Sequence, residues 1–169
     1  MELTFKASLD KWSLGITIGI SVLFAVIALS ILLSSKGGSL AVAGLFVAIM
    51  GACYFYMPLG YVVSTDQLLV KRPGYDVKIA LTKISEIKPL TPQELTWSVR
   101  TFGNGGLFGF YGKFWNKQIG DMTWYATRRG NFVLIKTPET NYILTPDNPE
   151  AFINALSKAV APKNTPVSA

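Results

Sequence analysis

Two long stretches without a charged residue open the chain. Ser13 to Ser35 contains none, and Leu14 to Leu33 is almost wholly apolar, a length that matches the about 20 residues a helix needs to cross a bilayer. Gly37 to Thr65 is again uncharged, with Leu40 to Met57 as its apolar body before Pro58 and Gly60. Proline lacks the backbone donor a helix interior requires, so the second helix ends or kinks there. The pattern predicts two transmembrane helices, over about residues 13–34 and 40–58, within a hairpin spanning 12–59. Their connector, Ser34-Ser35-Lys36-Gly37-Gly38-Ser39, is short enough to force antiparallel neighbours. A cleaved signal peptide is the competing reading, but its apolar core would be only about 7–15 residues.

Beyond Gly60 the period changes from continuous apolarity to short alternating segments with turn residues between them. Tyr61 to Thr65 and Leu68 to Arg72 flank Asp66-Gln67, and Pro73-Gly74 leads to Val77, Ile79 and Leu81 at alternate positions, with Ile84 and Ile87 extending that core. Further strands are expected over Trp97 to Phe102, Met122 to Thr127, Phe132 to Thr137 and Tyr142 to Thr145. Asp147 or Asn148 is placed to cap a closing helix, with Pro149 in its first turn and Phe152, Ala155, Leu156 and Ala159 along one apolar face. The expected architecture is therefore a membrane-anchored α+β protein. A cytosolic N-terminus (1–11) precedes the hairpin, an antiparallel β-barrel or sandwich of about seven strands with a terminal amphipathic helix occupies 60–161, and a polar tail follows at 162–169.

Composition sharpens this picture. Only 15% of the 169 residues are charged, against 50% hydrophobic, far below the roughly 25% charge of a soluble domain. Lys6, Lys11, Lys71 and Arg72 flank the open end of the hairpin and Lys36 alone marks its tip, which places both termini in the cytosol. Trp12, Tyr54, Tyr56 and Tyr61 suit the aromatic belt at that end. Gly15 and Gly19 form one small-residue row, and Gly44, Ala48 and Ala52 another. Such rows let backbones approach closely, and the expectation is packing of the hairpin on itself, with self-association as the alternative.

Three strings in the second region carry a family resemblance: Arg100-Thr101-Phe102-Gly103-Asn104-Gly105-Gly106-Leu107-Phe108-Gly109, Thr123-Trp124-Tyr125-Ala126-Thr127, and Thr145-Pro146-Asp147-Asn148-Pro149-Glu150-Ala151-Phe152. They resemble the bacterial pleckstrin-homology-like (PH-like) proteins in which a hydrophobic hairpin precedes the domain, over about residues 60–160. The resemblance implies two packed antiparallel sheets capped by the terminal helix, a bacterial inner-membrane location and, by analogy, a binding module. It carries over no binding or catalytic residues.

The chemistry present is narrow. The sequence holds no histidine and one cysteine, Cys53, which removes serine-histidine triads and zinc-protease helices. The acids after Gly60 fall mostly at turns and helix ends, none at a metal-ligand spacing. No catalytic residue, metal site or cofactor is expected, and a membrane-bound hydrolase survives only as a remote third reading. The glycine-aromatic segment fails both the Rossmann and the P-loop patterns, since Phe108 and Leu107 stand where glycines are required and Phe114 follows Gly112-Lys113.

Two groups of candidate contact residues remain. Lys71, Arg72 and Lys78 bracket the Pro73-Gly74 turn and are candidates for lipid or anion contact, through specific phosphate recognition or general attraction to an anionic surface. Phe108, Phe110, Tyr111, Lys113, Trp115 and Lys117 are candidates for contact with a partner or the membrane interface, unless their aromatics fill the barrel at a glycine-rich bend. The expected partners are the bilayer, an anionic phospholipid, and a protein or a second copy of the chain, without nucleic acid. The leading functional expectation is a non-enzymatic module displayed at the cytosolic membrane face. The alternative is an accessory subunit that packs its hairpin into a larger transporter or envelope complex.

Overall fold

Strand pairing, rather than helix packing, closes the molecule around its two apolar helices. The computed structural model describes residues 2–34 and 39–161. Its first sheet is an antiparallel meander of β1 (Leu3–Lys6), β2 (Gly60–Val63), β3 (Gln67–Lys71) and β4 (Val77–Ala80), in that order. β1 was expected to be part of an N-terminal tail. It instead pairs with β2 from Leu3 opposite Val63 to Lys6 opposite Gly60, and the Phe5 ring meets Phe152 edge to face at 5.2 Å.

The second sheet holds β5 (Glu86–Leu90), β6 (Val99–Gly106), β7 (Gly109–Asn116), β8 (Gly120–Ala126), β9 (Phe132–Lys136) and β10 (Asn141–Leu144). Their spatial order is β5-β9-β10-β8-β7-β6. Among the described residues ten strands replace the expected seven or so, and of the expected barrel or sandwich they form two sheets, not one barrel. The all-antiparallel expectation is also corrected, because β10 runs parallel to β8. That geometry arises because β9 turns tightly back into β10, which then fills the space between β9 and β8.

Burial of β9 on both faces explains the apolar run at residues 132–135. Val133 and Ile135 enter one core with Tyr61, Leu68, Val70, Ile79 and Leu144, while Phe132 and Leu134 enter a second with Phe110, Phe114, Met122, Trp124 and Ile143. Strands buried on both faces read as continuous hydrophobic segments, not as alternation. The closing helix α3 (Pro149–Val160) covers the first core with Phe152, Leu156 and Val160. Asn148 caps it by accepting the Ala151 N–H at 3.0 Å, and Pro149 occupies the first turn. Of the two capping candidates Asp147 has other partners. Its carboxylate accepts the Ser8 N–H at 2.8 Å and the Ser8 hydroxyl at 2.6 Å, and it pairs with Arg128.

The apolar helices are α1 (Lys11–Ser34) and α2 (Ser39–Tyr56). By length and composition Lys11–Ile31, of mean hydropathy 2.5, is long enough to cross a membrane, whereas Ala41–Tyr56 is a shorter apolar helix. The expectation of two equivalent spans is narrowed to one candidate among the described residues. The helices touch through Phe24 and Phe46, whose rings stack at 4.6 Å. The small-residue rows do not mediate this contact. A Cβ added at Gly15, Gly19 or Gly44 would meet nothing within 4 Å, and Ala48 and Ala52 are exposed. Bulky side chains hold the pair, so Gly15, Gly19, Gly44 and Ala48 face outward, while Ala52 faces the β domain.

Asp10 fixes the start of α1 to the β domain. Its carboxylate accepts the Ser13 N–H at 2.7 Å as a helix cap and the Arg129 N–H at 2.9 Å from the β8–β9 connection. Burial pushes both Asp10 and Asp147 up, but the hydrogen bonds and neighbouring arginines outweigh it and hold each below the usual carboxylate range. A carboxylate depressed on folding stabilises fully above its ordinary value and loses that contribution as pH falls through the folded value. Asp147→Asn is therefore expected to lower the melting temperature at pH 7, with the deficit against the native chain shrinking as pH drops below about 4. Thermal melts across that range check it, and a constant deficit down to the acid limit contradicts the linkage.

Candidate functional site

Pro58 determines how α2 ends. Because proline has no N–H, the Tyr54 carbonyl four residues earlier loses its regular donor, and the Met57 N–H turns back to it at 3.2 Å. That shift leaves the Cys53 carbonyl without its helical partner. Tyr111 of β7 supplies one, donating its hydroxyl to the Cys53 carbonyl at 2.7 Å. The Phe55 carbonyl accepts the Gly74 N–H at 3.2 Å, an approach at which a Cβ on residue 74 would stand 3.1 Å from that oxygen. The β domain thus caps the last turn of α2.

The β6–β7 hairpin grips α1 as well. At its tip the Phe108 N–H donates to Thr17 Oγ1 at 2.9 Å, and the Phe108 ring lies edge to face with Tyr54 at 6.0 Å. Phe108 has φ of 58°, a strained value for an aromatic residue, so the contact with the helices accompanies an unusual turn. Asn104 bonds the Leu107 carbonyl and the Tyr111 hydroxyl, which ties the tip to the α2 cap. Lower in the hairpin Gly103 and Gly112 lie directly opposite each other, both at positive φ. A Cβ on either would collide with the backbone carbonyl of Tyr111 or Phe102, so this close crossing admits only glycine.

Between the end of α2 and the β7–β8 face turned away from the second core lies a cavity of about 540 Å³. Ala52, Cys53 and Tyr56 form the helix wall, Tyr111, Lys113, Thr123 and Tyr125 the sheet wall, and Arg72, Tyr75 and Phe102 the sides. The sheet wall follows from register, since Tyr111 opposes Tyr125 and Lys113 opposes Thr123. Their neighbours Phe110, Phe114, Met122 and Trp124 point into the core on the opposite face.

Arg72 dominates the electrostatics. It is only 9% exposed, and its guanidinium carbon lies 4.1 Å from the Tyr75 ring centroid, 5.4 Å from Tyr125 and 5.5 Å from Tyr56. Its Nε donates to the Tyr75 carbonyl at 3.0 Å. Among the described residues no carboxylate pairs with it, and its Nη donors have no protein acceptor. Lys113 likewise lacks a carboxylate and donates to Thr123 Oγ1 at 2.9 Å. Each cation–π contact is worth about 0.5–2 kcal/mol, whereas removing an ion from water costs several. The tyrosines therefore hold the cation without neutralising it. Burial raises the Tyr111 and Tyr125 hydroxyls, against the opposing pull of Asn104 on the first and Arg72 on the second, so both remain neutral at physiological pH.

The candidate residues are sorted differently in space than in sequence. Of the three basic residues around the Pro73-Gly74 turn only Arg72 lines the cavity. Lys71 is paired with Asp76 at 2.6 Å, and Lys78 lies across β3–β4 beside a separate, smaller pocket with Asp66 and Glu139. In the second group, Phe108 and Tyr111 contact the chain's own helices and Phe110 is core. Lys113 joins Arg72 at the cavity, while Trp115 and Lys117 remain exposed. Tyr75, Tyr125, Thr123 and Thr17 were not singled out from sequence. The Thr123/Tyr125 alternation on β8 was the available signal for two of them. Among the described residues no group of three or more His, Cys, Asp or Glu is arranged to hold a metal.

Comparison with known families is informative over the β domain. A family described as bacterial PH domain matches residues 59–160. No curated protein and no solved structure matches the chain.

If the hairpin tip is anchored through Thr17, Thr17→Val removes its acceptor while preserving shape, and the Phe108 amide is left unpaired. Amide hydrogen exchange at residues 106–109 is then expected to accelerate by about tenfold, corresponding to the roughly 1–2 kcal/mol of a lost hydrogen bond. The amides of β9 and β10 should not change. Hydrogen-exchange mass spectrometry on the full chain in detergent checks both, and unchanged tip exchange contradicts the anchor.

Proposed function

We propose, from the premise that this chain belongs to the bacterial PH domain family, that it is a non-enzymatic, membrane-anchored binding and scaffold module. In this reading α1 and α2 cross the bacterial inner membrane as a hairpin with both termini in the cytosol. They hold the PH domain against the cytosolic face, where it meets a protein partner or anionic lipid head groups. PH domains are in general binding modules, which makes the coarser part of this assignment a property of the family.

The observation that carries the membrane part is the pairing of β1 with β2. β1 ends four residues before α1 begins and β2 starts three residues after α2 ends, so entry to and exit from the helix pair are joined by backbone hydrogen bonds. Such a closure requires both to lie on one side of any bilayer the helices enter. The excess of Lys and Arg at that end supports its cytosolic placement. The outward-facing Gly15, Gly19, Gly44 and Ala48 favour the second reading, an accessory subunit whose helices pack against those of a larger complex.

Topology is tested by impermeant thiol labelling of intact cells in a Cys53→Ser background. Gly38→Cys is expected to react from outside and Ser168→Cys only after the membrane is opened. The reverse pattern would falsify the cytosolic assignment.

A further inference from the structure

We infer that the cavity between α2 and the β7–β8 face binds the headgroup of an anionic phospholipid, with its phosphate held between Arg72 and Lys113. The inference rests on the preceding reading, because it places the end of α2 at the bilayer surface. It differs from attraction of surface lysines to a charged leaflet in naming a defined cleft with two fixed cations.

Three observations converge on that ligand class. The first is charge. Arg72 and Lys113 line the cavity and none of its described lining residues is acidic, so two positive charges face one space without a counter-ion. An anion, and best a doubly charged phosphomonoester, completes them. The second is donor geometry. Among the described residues the Arg72 Nη groups have no protein acceptor, while Nε and the Tyr75, Tyr56 and Tyr125 rings fix the guanidinium plane. A planar fork held in this way matches two phosphate oxygens at once.

The third is the character of the walls. Ala52 and Cys53 present an apolar surface from α2 on one side, and Lys113, Thr123 and the Tyr75 region present polar groups on the other. A ligand satisfying both carries an apolar portion beside its phosphate. The volume of about 540 Å³ is within the roughly 300–1,000 Å³ of small-molecule sites, ample for a headgroup and the start of its acyl chains. A free phosphate would leave the α2 wall uncovered, which is why the lipid source is the one chosen.

The test uses the full chain in nanodiscs of phosphatidylcholine containing phosphatidic acid or phosphatidylglycerol, with retained lipid read by native mass spectrometry. The native protein is expected to retain an anionic lipid over phosphatidylcholine, and Lys113→Gln to cut that retention by about tenfold, the scale of one charge-assisted hydrogen bond. Arg72→Gln should do the same and Arg72→Lys should restore part of it, while Lys71→Gln with Lys78→Gln leaves it intact. Because Arg72 is buried and its variants can misfold, the exposed Lys113 decides the matter.

Equal retention by the native and Lys113→Gln proteins overturns the inference. So does full displacement of the lipid by excess inorganic phosphate or glycerol phosphate, which would make the occupant a soluble anion. Alkaline carbonate extraction of native membranes separates the two levels. A chain that resists extraction yet shows no lipid preference fails here only, whereas a chain that is extracted fails the anchoring itself.

Discussion

The absence of one N–H at Pro58 governs how the two halves of this protein are joined. A helix must find donors for its last carbonyls, since one left unpaired away from water is costly. With Met57 diverted to Tyr54, the Cys53 oxygen takes its hydrogen bond from Tyr111, and the Phe55 oxygen takes one from Gly74. These donors belong to separate sheets. Satisfying a single helix terminus therefore fixes the orientation of the whole β domain relative to α2.

Once the domain is set in that way, the cavity is a geometric remainder. The first sheet covers the second over β5, β9 and β10, where the shared core lies, and reaches β8 only at Tyr125, whose carbonyl accepts the Tyr61 hydroxyl at 2.6 Å. The same face continues onto β8 and β7 without that cover, and α2 faces it from the other side. Arg72 sits where the first sheet stops. Its side chain is surrounded by tyrosines contributed by α2, the β3–β4 turn and β8. The charge is held in place by elements that are themselves fixed for structural reasons, which is the condition for a pre-organised site.

Much of this was readable in the residues, and the limits have identifiable causes. The helices were legible because an uncharged run leaves few alternatives, and the end of α2 because proline acts locally. α3 was legible because its cap and its apolar spacing agree. β1 escaped notice because four residues carry little periodicity and because only pairing with β2, more than fifty residues away, makes Leu3–Lys6 a strand. The parallel β8–β10 pair escaped for the same reason, since pairing is a tertiary choice that alternation does not encode. At the site, Arg72 and Lys113 were each singled out but in different groups. The register that places Lys113 opposite Thr123, and the turn that aims Arg72 toward β8, join residues about forty positions apart. The packing assigned to the small-residue rows failed for a different reason. Aromatic stacking between Phe24 and Phe46 sets the contact of the helices, and a small-xxx-small spacing does not say which face will be used.

The β1–β2 ladder also bears on how the chain is made. β1 leaves the ribosome before the helices and then waits while α1, the connector and α2 are synthesised, for its edge has no β2 partner until β2 emerges. Closing so long a loop is entropically slow unless something brings its ends together. An antiparallel helix pair does that, since it returns the chain beside its own starting point. If the helices insert as read above, a chain whose second helix failed to return would strand β1 and β2 on opposite sides of the bilayer, with both edges open. In that reading, completion of the first sheet depends on the return of the second helix.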